Sequence, residues 1–176
     1  MPSASRFHVR QGRPQDADLL VGFSAALARE TESRQLDLVR LRKGIRALLA
    51  DSDRGFFVVA EYHNSGARNP VGQLMITFEW SDWRNGMFWW VQSVYVDPAW
   101  RRQGVYRTMH QHIVAKAKAD PTVCGIRLYV EQHNQTAQNV YQHVGLAPSG
   151  YGVYEQDFVL ETRPPSMPNR KTKERS

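Results

Sequence analysis

Between Val94 and Arg107 the chain reads VYVDPAWRRQGVYR. A β-rich run ends at Asp97-Pro98, and a helical pattern opens within RRQGVYR. A loop of this kind delivers a helix N-terminus, whose first N–H groups lack intrahelical acceptors and whose dipole adds positive potential. Gly104 lets a ligand approach the main chain closely, and Arg101, Arg102 and Arg107 add cationic reach. The combination suits a phosphate or pyrophosphate. It is neither a P-loop, since G-x-x-x-x-G-K-S/T is absent, nor a dinucleotide fingerprint. A charged helix cap accounts for the same residues without a ligand. Candidate proton acceptors are Glu79 at the end of one strand and Glu131 at the end of another, with His110 and His112 on the helix after the loop. Trp80, Trp83, Trp89 and Trp90, four of the five tryptophans, fall around Ser81 and Asp82. They read either as core and hairpin packing or as aromatic walls of a pocket in which Asp82 or Glu79 faces a cation. No His, Cys or Asp group has metal-ligand spacing, so no metal is expected. Cys124 reads as a small core residue of a strand.

These residues need a scaffold, and hydrophobic periodicity outlines one. A strand over Phe7–Arg10 precedes Gly12, and Pro14 suits the first turn of a helix carrying Leu19, Leu20, Phe23 and Leu27. Leu38, Leu41, Ile45 and Leu48 stripe a second helix over Leu36–Ala50, and its Arg40, Arg42, Lys43 and Arg46 read as a wet face. Gly55–Tyr62 and Val71–Trp80 read as strands joined by the turn-dense NSGARNP. Asn85-Gly86 signals a hairpin into Met87–Val96, an apolar run expected to be central and covered on both faces. A helix over Arg102–Ala119, a strand over Val123–Glu131, a helix over Gln135–His143 and a last strand or hairpin over Gly150–Leu160 complete the order. The expectation is a mixed α/β fold around one sheet, in the order β-α-α-β-β-β-α-β-α-β.

Composition agrees with one globular domain. The chain has 176 residues, 41% hydrophobic and 23% charged, which excludes wholesale disorder and fibrous classes. No apolar run approaches the length of a membrane span, and the N-terminus lacks an apolar signal region. With a single cysteine, a reducing, cytoplasmic setting is expected. Residues 162–176 hold five basic residues and one acid, so +4 of the net +6 lies there and the rest of the chain carries +2. We therefore divide the chain into a domain over 1–161 and a basic, Pro-rich tail over 162–176. A nucleic-acid partner is disfavoured, because the excess charge is not on the body of the fold.

The strand, D-P turn and RRQGVYR resemble the coenzyme-A motif Q/R-x-x-G-x-G/A of the GNAT superfamily of N-acetyltransferases. Asn134, Ala137, Tyr141, Gly145 and Leu146 fill a second segment that resembles the family's N-x-x-A-x-x-x-Y-x-x-x-G-F/L, and VRQGRPQDADLL resembles its opening strand and helix. The resemblance spans roughly Phe7 to Leu160. It implies a largely antiparallel sheet flanked by helices, acetyl-CoA as co-substrate, and direct ternary-complex transfer to a primary amine. It implies that Arg101, Arg102, Gln103, Gly104, Val105, Tyr106 and Arg107 hold the pyrophosphate, mainly through main-chain N–H groups. Val94, Tyr95 and Val96 would align the thioester arm, Asn134 would bond the arm or cap its helix, and Tyr141 would act as general acid. Glu79 is the favoured base, beside Glu131 and water. Tyr106 stands where the family has Gly or Ala, so its ring is expected to turn aside into helix packing. Two other readings stay open: a catalytically silent CoA-binding sensor or interaction module, and a basic-tailed nucleic-acid-associated protein. The acceptor stays open among small amines, aminoglycosides, protein α-amines and lysines, and pairing into a homodimer is compatible with the family.

Overall fold

Alternate residues of a strand face opposite sides of a sheet, and the GFFVVAEY run uses both sides. Val58 and Ala60 enter one core, while Phe57 and Val59 enter a second core on the other face. This explains why the run is apolar without alternation. The computed structural model describes residues 6–64 and 67–160. In chain order these form β1 (Phe7–Gln11), α1 (Ala17–Glu32), α2 (Leu38–Ala50), β2 (Phe56–Asn64), β3 (Ala67–Ser81), β4 (Gly86–Val96), α3 (Val105–Ala119), β5 (Val123–Leu128) and α4 (Gln135–His143). Short 3₁₀ turns lie at Pro14–Asp16 and Pro98–Trp100. The sheet has the order β1-β2-β3-β4-β5, antiparallel except for the parallel β4–β5 pair. The mixed, largely antiparallel sheet expected from the sequence is present. No helix among the described residues is long and apolar enough to cross a membrane.

The α3 face is closed by Val105, Met109 and Ile113, all fully buried against Val71, Leu74, Ile76 and Val91. The opposite face is closed by Leu20 and Val21 of α1 and Ile45 of α2, over Phe57 and Val59. The α2 stripe is thinner than its periodicity suggests: Ile45 is buried, but Leu38 is half exposed. Asp37 caps α2 by accepting from the Val39 and Arg40 N–H groups, which sets its start two residues later than expected.

Further boundaries differ from the sequence reading, and one element is missing. β2 and β3 extend through NSGARNP to an Asn64–Ala67 pair, because a bulge beside Pro70 absorbs the proline. β5 stops at Leu128, three residues short of Glu131. α3 starts at Val105 rather than Arg102, since Arg102 and Gly104 both have left-handed backbones that a helix cannot contain. The expected strand or hairpin over Gly150–Leu160 is not formed. Tyr151, Val153, Tyr154 and Phe158 are β-forming residues but lie exposed, and β5 pairs with no described strand besides β4. A strand pattern without a partner edge leaves its backbone groups to water. The proposed tail over 162–176 lies outside the described residues.

Gly55 shows how tightly β2 enters the sheet. Its φ is +141°, and a Cβ built there would lie 1.9 Å from the Ile76 carbonyl oxygen. We expect Gly55→Ala to cost about 2–4 kcal/mol, from backbone strain plus displacement of a main-chain oxygen. A melting temperature equal to that of the wild type would contradict this packing.

Candidate active site

β4 has strand partners on both sides only as far as Val91. The parallel ladder to β5 ends at the Val91–Leu128 pair, whereas β4 runs on beside β3 to the Gly72–Val96 pair. The two strands thus part, and residues 92–96 of β4 have no strand partner on the β5 side among the described residues. At the parting lies a bulge. Gln92 pairs with Met75 and Tyr95 with Gln73, so Ser93 and Val94 together oppose Leu74. Ser93 has φ +50°, a conformation that costs a non-glycine residue energy unless its surroundings enforce it. Gln73 enforces it. This residue is fully buried, and its Nε2 donates to Ser24 Oγ at 2.9 Å and to the Ser93 carbonyl at 3.3 Å. Sequence reasoning missed Gln73, Ser24 and Ser93. The available signal was a glutamine inside the apolar run VGQLMI, where a buried amide needs partners.

Of the three residues expected to align the cofactor arm, Val94 and Val96 are half-buried and pack on the α3 core. Tyr95 is buried, with its ring on Phe23 and its hydroxyl donating to Glu30 Oε1 at 3.3 Å. Burial, together with the Glu30 carboxylate, pushes its phenol up. From Val96 the chain turns through Asp97, whose side chain accepts from the Ala99 N–H, into the loop before α3. No described residue accepts from the main-chain N–H groups of residues 102–107. Gly104 caps α3 with φ +89°, and a Cβ there would meet nothing within 4 Å. This is an open cradle of N–H donors at the positive end of a 15-residue helix. Arg102, Gln103 and Arg107 are exposed around it. Arg101 is directed elsewhere: its Nη2 pairs with Glu30 Oε2, and its Nε donates to the Val96 carbonyl. Gln103 donates to the Ala99 carbonyl.

Tyr141 sits on α4 with its ring edge-on to Tyr106, centroids 5.5 Å apart. Burial pushes its phenol up. The Tyr106 ring has turned into the packing between α3 and α4, against His110 at 5.8 Å as well as Tyr141. The Tyr106 hydroxyl and His110 Nε2 are buried without partners among the described residues. Desolvation raises the one phenol and lowers the imidazole, so both are neutral near pH 7. Asn134 is the α4 N-cap, its Oδ1 accepting from the Ala137 N–H at 3.0 Å.

The proton-acceptor candidates are dispersed. Glu79 pairs with Phe88 in the β3–β4 ladder, three positions from Val91. Its Oε1 is held by Arg127 Nη1 at 2.6 Å and its Oε2 by the Trp90 indole N–H. Arg127 also lies 3.7 Å over the Phe88 ring, and Trp90 stacks on Tyr129. Glu131 lies in the exposed β5–α4 loop, where it accepts from the His133 N–H. His112 is half-buried on α3, and its imidazole is lowered mainly by burial. The tryptophans do not form one pocket: Trp89 is core beside Phe56 and Phe78, Trp90 is on the other face, and Trp80 and Trp83 are exposed. Asp82 caps its own turn by accepting from the Trp83 N–H. Sequence spacing indicated no metal-ligand set, but the fold brings His8, Glu61 and His63 together on β1 and β2.

A cavity of about 360 Å³ lies between α1, α2 and the sheet. Leu27, Leu41, Phe57 and Met75 line it, and Ser24, Ser93, Glu32 and Arg34 are its polar lining. Ser93 therefore belongs both to the cavity and to the β4 bulge at the cleft.

The chain matches the acetyltransferase (GNAT) family over residues 23–146. A search of curated proteins finds no match. Among solved structures it is similar to a possible acetyltransferase from Clostridium difficile 630, with 38% identity over 88% of this chain and 99% of that one, at a TM-score of 0.79. Its fold also resembles a predicted acetyltransferase with acetyl-CoA from Clostridium acetobutylicum, with 18% identity over 85% of this chain and 96% of that one, at a TM-score of 0.68. A third structure of the same fold is glucosamine-6-phosphate N-acetyltransferase from Arabidopsis thaliana, with 16% identity over 85% and 97% of the two chains, at a TM-score of 0.64. The parted strands, the N–H cradle before α3 and the match over residues 23–146 agree: the chain belongs to the GNAT family of acetyltransferases.

Proposed function

We propose that this protein transfers the acetyl group of acetyl-CoA directly to a primary amine, within a ternary complex and without a covalent enzyme intermediate. One observation carries the reading: β4 parts from β5 beyond Val91 and leads through the D-P turn to the N–H groups at the start of α3. An extended acyl carrier ending in a pyrophosphate fits that sequence of groups, and it supplies an acyl group activated as a thioester. The N–H groups of residues 102–107 would hold the pyrophosphate, with Arg102 and Arg107 adding charge. Arg101 would act by holding the loop against α1 rather than by touching phosphate, since its guanidinium is engaged by Glu30. The exposed main-chain edge of Val94, Tyr95 and Val96 would align the arm. Asn134 would keep the start of α4, and so Tyr141, in place.

An amine with an ordinary pKa of about 10.4 must lose a proton before it attacks. Both Glu79 oxygens are already engaged, one by the Arg127 guanidinium and one by the Trp90 indole N–H. The arrangement favours deprotonation through water in the cavity beside Ser93, with Glu79 holding Arg127 and Trp90. The apolar cavity walls favour an acceptor with an aliphatic or aromatic body behind its amine. On the other side of the reacting bond, Tyr141 would share its proton as charge develops on the leaving sulfur.

Three measurements test these roles. Gly104→Glu places a side chain and a negative charge in the cradle, so CoA affinity by calorimetry should fall about tenfold or more in a folded protein. Unchanged affinity would remove the cradle from the site. Tyr141→Phe should lower kcat roughly 10²-fold with little change in acetyl-CoA binding. Because burial raises the Tyr141 phenol, its ionisation should impose no loss of wild-type activity below about pH 10. A Tyr141→Phe enzyme with wild-type kcat, under conditions where chemistry limits turnover, would exclude it. Glu79→Gln should lower kcat/KM less than about tenfold, as expected for a clamp, whereas loss of 10²-fold or more together with the acidic limb of the pH profile would make Glu79 the base.

A further inference from the structure

Away from the cleft, at the opposite edge of the sheet, three side chains from two strands converge on one point. His8 on β1 is the direct cross-strand partner of Glu61 on β2, and His63 lies two residues further along β2, on the same face. Glu61 Oε2 lies 3.5 Å from His63 Nε2 and 3.9 Å from His8 Nδ1. The three ligand atoms are all within 4.8 Å of one another. Around a tetrahedral zinc ion with bonds of about 2.0–2.1 Å, ligand atoms lie roughly 3.3 Å apart, so small χ rotations of two exposed imidazoles would close the set.

The carboxylate is built in rather than incidental. Glu61 is buried, although its strand neighbours His63 and Asn64 are exposed. Its other oxygen, Oε1, accepts from Arg10 Nε at 2.7 Å. Arg10 is in turn gripped by both oxygens of Asp16, at 2.7 and 2.9 Å. Asp16 is fixed further by the Arg13 N–H. Arg10 and Asp16 neutralise one another, which leaves the Glu61 charge as the surplus facing the two imidazoles. Arg68, the cross-strand partner of His63 on β3, is a further cation that the carboxylate feels. A buried acceptor oriented by an outer shell and flanked by two exposed imidazoles has the form of a metal site rather than of a simple surface ion pair.

We propose that His8, Glu61 and His63 form a binding site for a borderline divalent transition ion, of which Zn²⁺ is the representative. Two imidazoles and one carboxylate suit that class, whereas Ca²⁺ and Mg²⁺ require more oxygen ligands. Water would complete the coordination on the exposed side. The site lies on β1 and β2, and β1 is three strand spacings, about 14 Å, from the β4 bulge, so its effect is to clamp the first strand to the sheet and not to take part in transfer. The test uses the full, tag-free chain, stripped of metal with chelator and titrated with ZnCl₂ by calorimetry, with the melting temperature read in parallel. One saturable Zn²⁺ per chain and a rise of the melting temperature by a few degrees are expected, with no response to CaCl₂ or MgCl₂. His8→Ala and His63→Ala alter exposed side chains, should fold, and should each weaken Zn²⁺ binding about tenfold or more, while His143→Ala should not. Absence of a saturable site in the wild type would overturn the assignment. So would undiminished affinity in the folded His8→Ala and His63→Ala proteins.

Discussion

The parting of β4 from β5 is the constraint on which the rest of the architecture depends. Hydrogen bonding would favour continuing the parallel ladder past Val91 and Leu128, and a sheet that did so would have no cleft. What opposes it is local. The bulge at Ser93 adds a residue to β4 and turns its course, and Gln73 fixes that turn from inside the core. The cost is visible as a left-handed serine and as a Gln73 Oε1 with no partner among the described residues. Such strain persists only where neighbouring packing holds it. Ser24, on the buried face of α1, is part of that support, so the helix that roofs the cavity also maintains the bulge beneath it.

The N–H cradle follows from the same event. β4 reaches Val96 without a partner on its β5 side, and the D-P turn then has to bring the chain into α3 on the far face. Two left-handed residues, Arg102 and Gly104, accomplish that turn within four positions. Their geometry delays the helix and leaves the preceding N–H groups without acceptors. The proposed anion cradle is thus a by-product of the turn required by topology, and the apolar stripe Val105-Met109-Ile113 fixes its direction by anchoring α3 to the sheet.

Much of this was legible in the sequence where a signal is local. The α4 bounds were readable from Asn134, whose side chain does cap the helix, and the glycine of RRQGVYR marked the turn from which α3 starts. The bulge was not legible, because one inserted residue leaves the composition of MFWWVQSVYV unchanged. The pairing of Arg101 with Glu30 joins residues 71 positions apart, and the cluster of His8 with Glu61 depends on a strand register that periodicity does not reveal. The tryptophan group misled for a related reason. Proximity in sequence over a hairpin places neighbours on opposite faces, so Trp89 and Trp90 share no environment. The strand or hairpin expected over Gly150–Leu160 rested on β-forming residues, but an edge strand exists only by virtue of a partner.

The clip between Arg101 and Glu30 joins the two halves of the site mechanically. Glu30 lies near the end of α1, which walls the cavity, and Arg101 opens the loop that leads to the cradle. Any tilt of α1 as the cavity fills must either carry that loop with it or break the pair. Occupancy of one half and affinity of the other are then linked, and linkage acts equally in both directions. The size of that link is bounded, since a partly exposed ion pair contributes at most about 1 kcal/mol, or roughly fivefold in affinity. The two ligands of such a site would assist one another only modestly, so neither is obliged to arrive first.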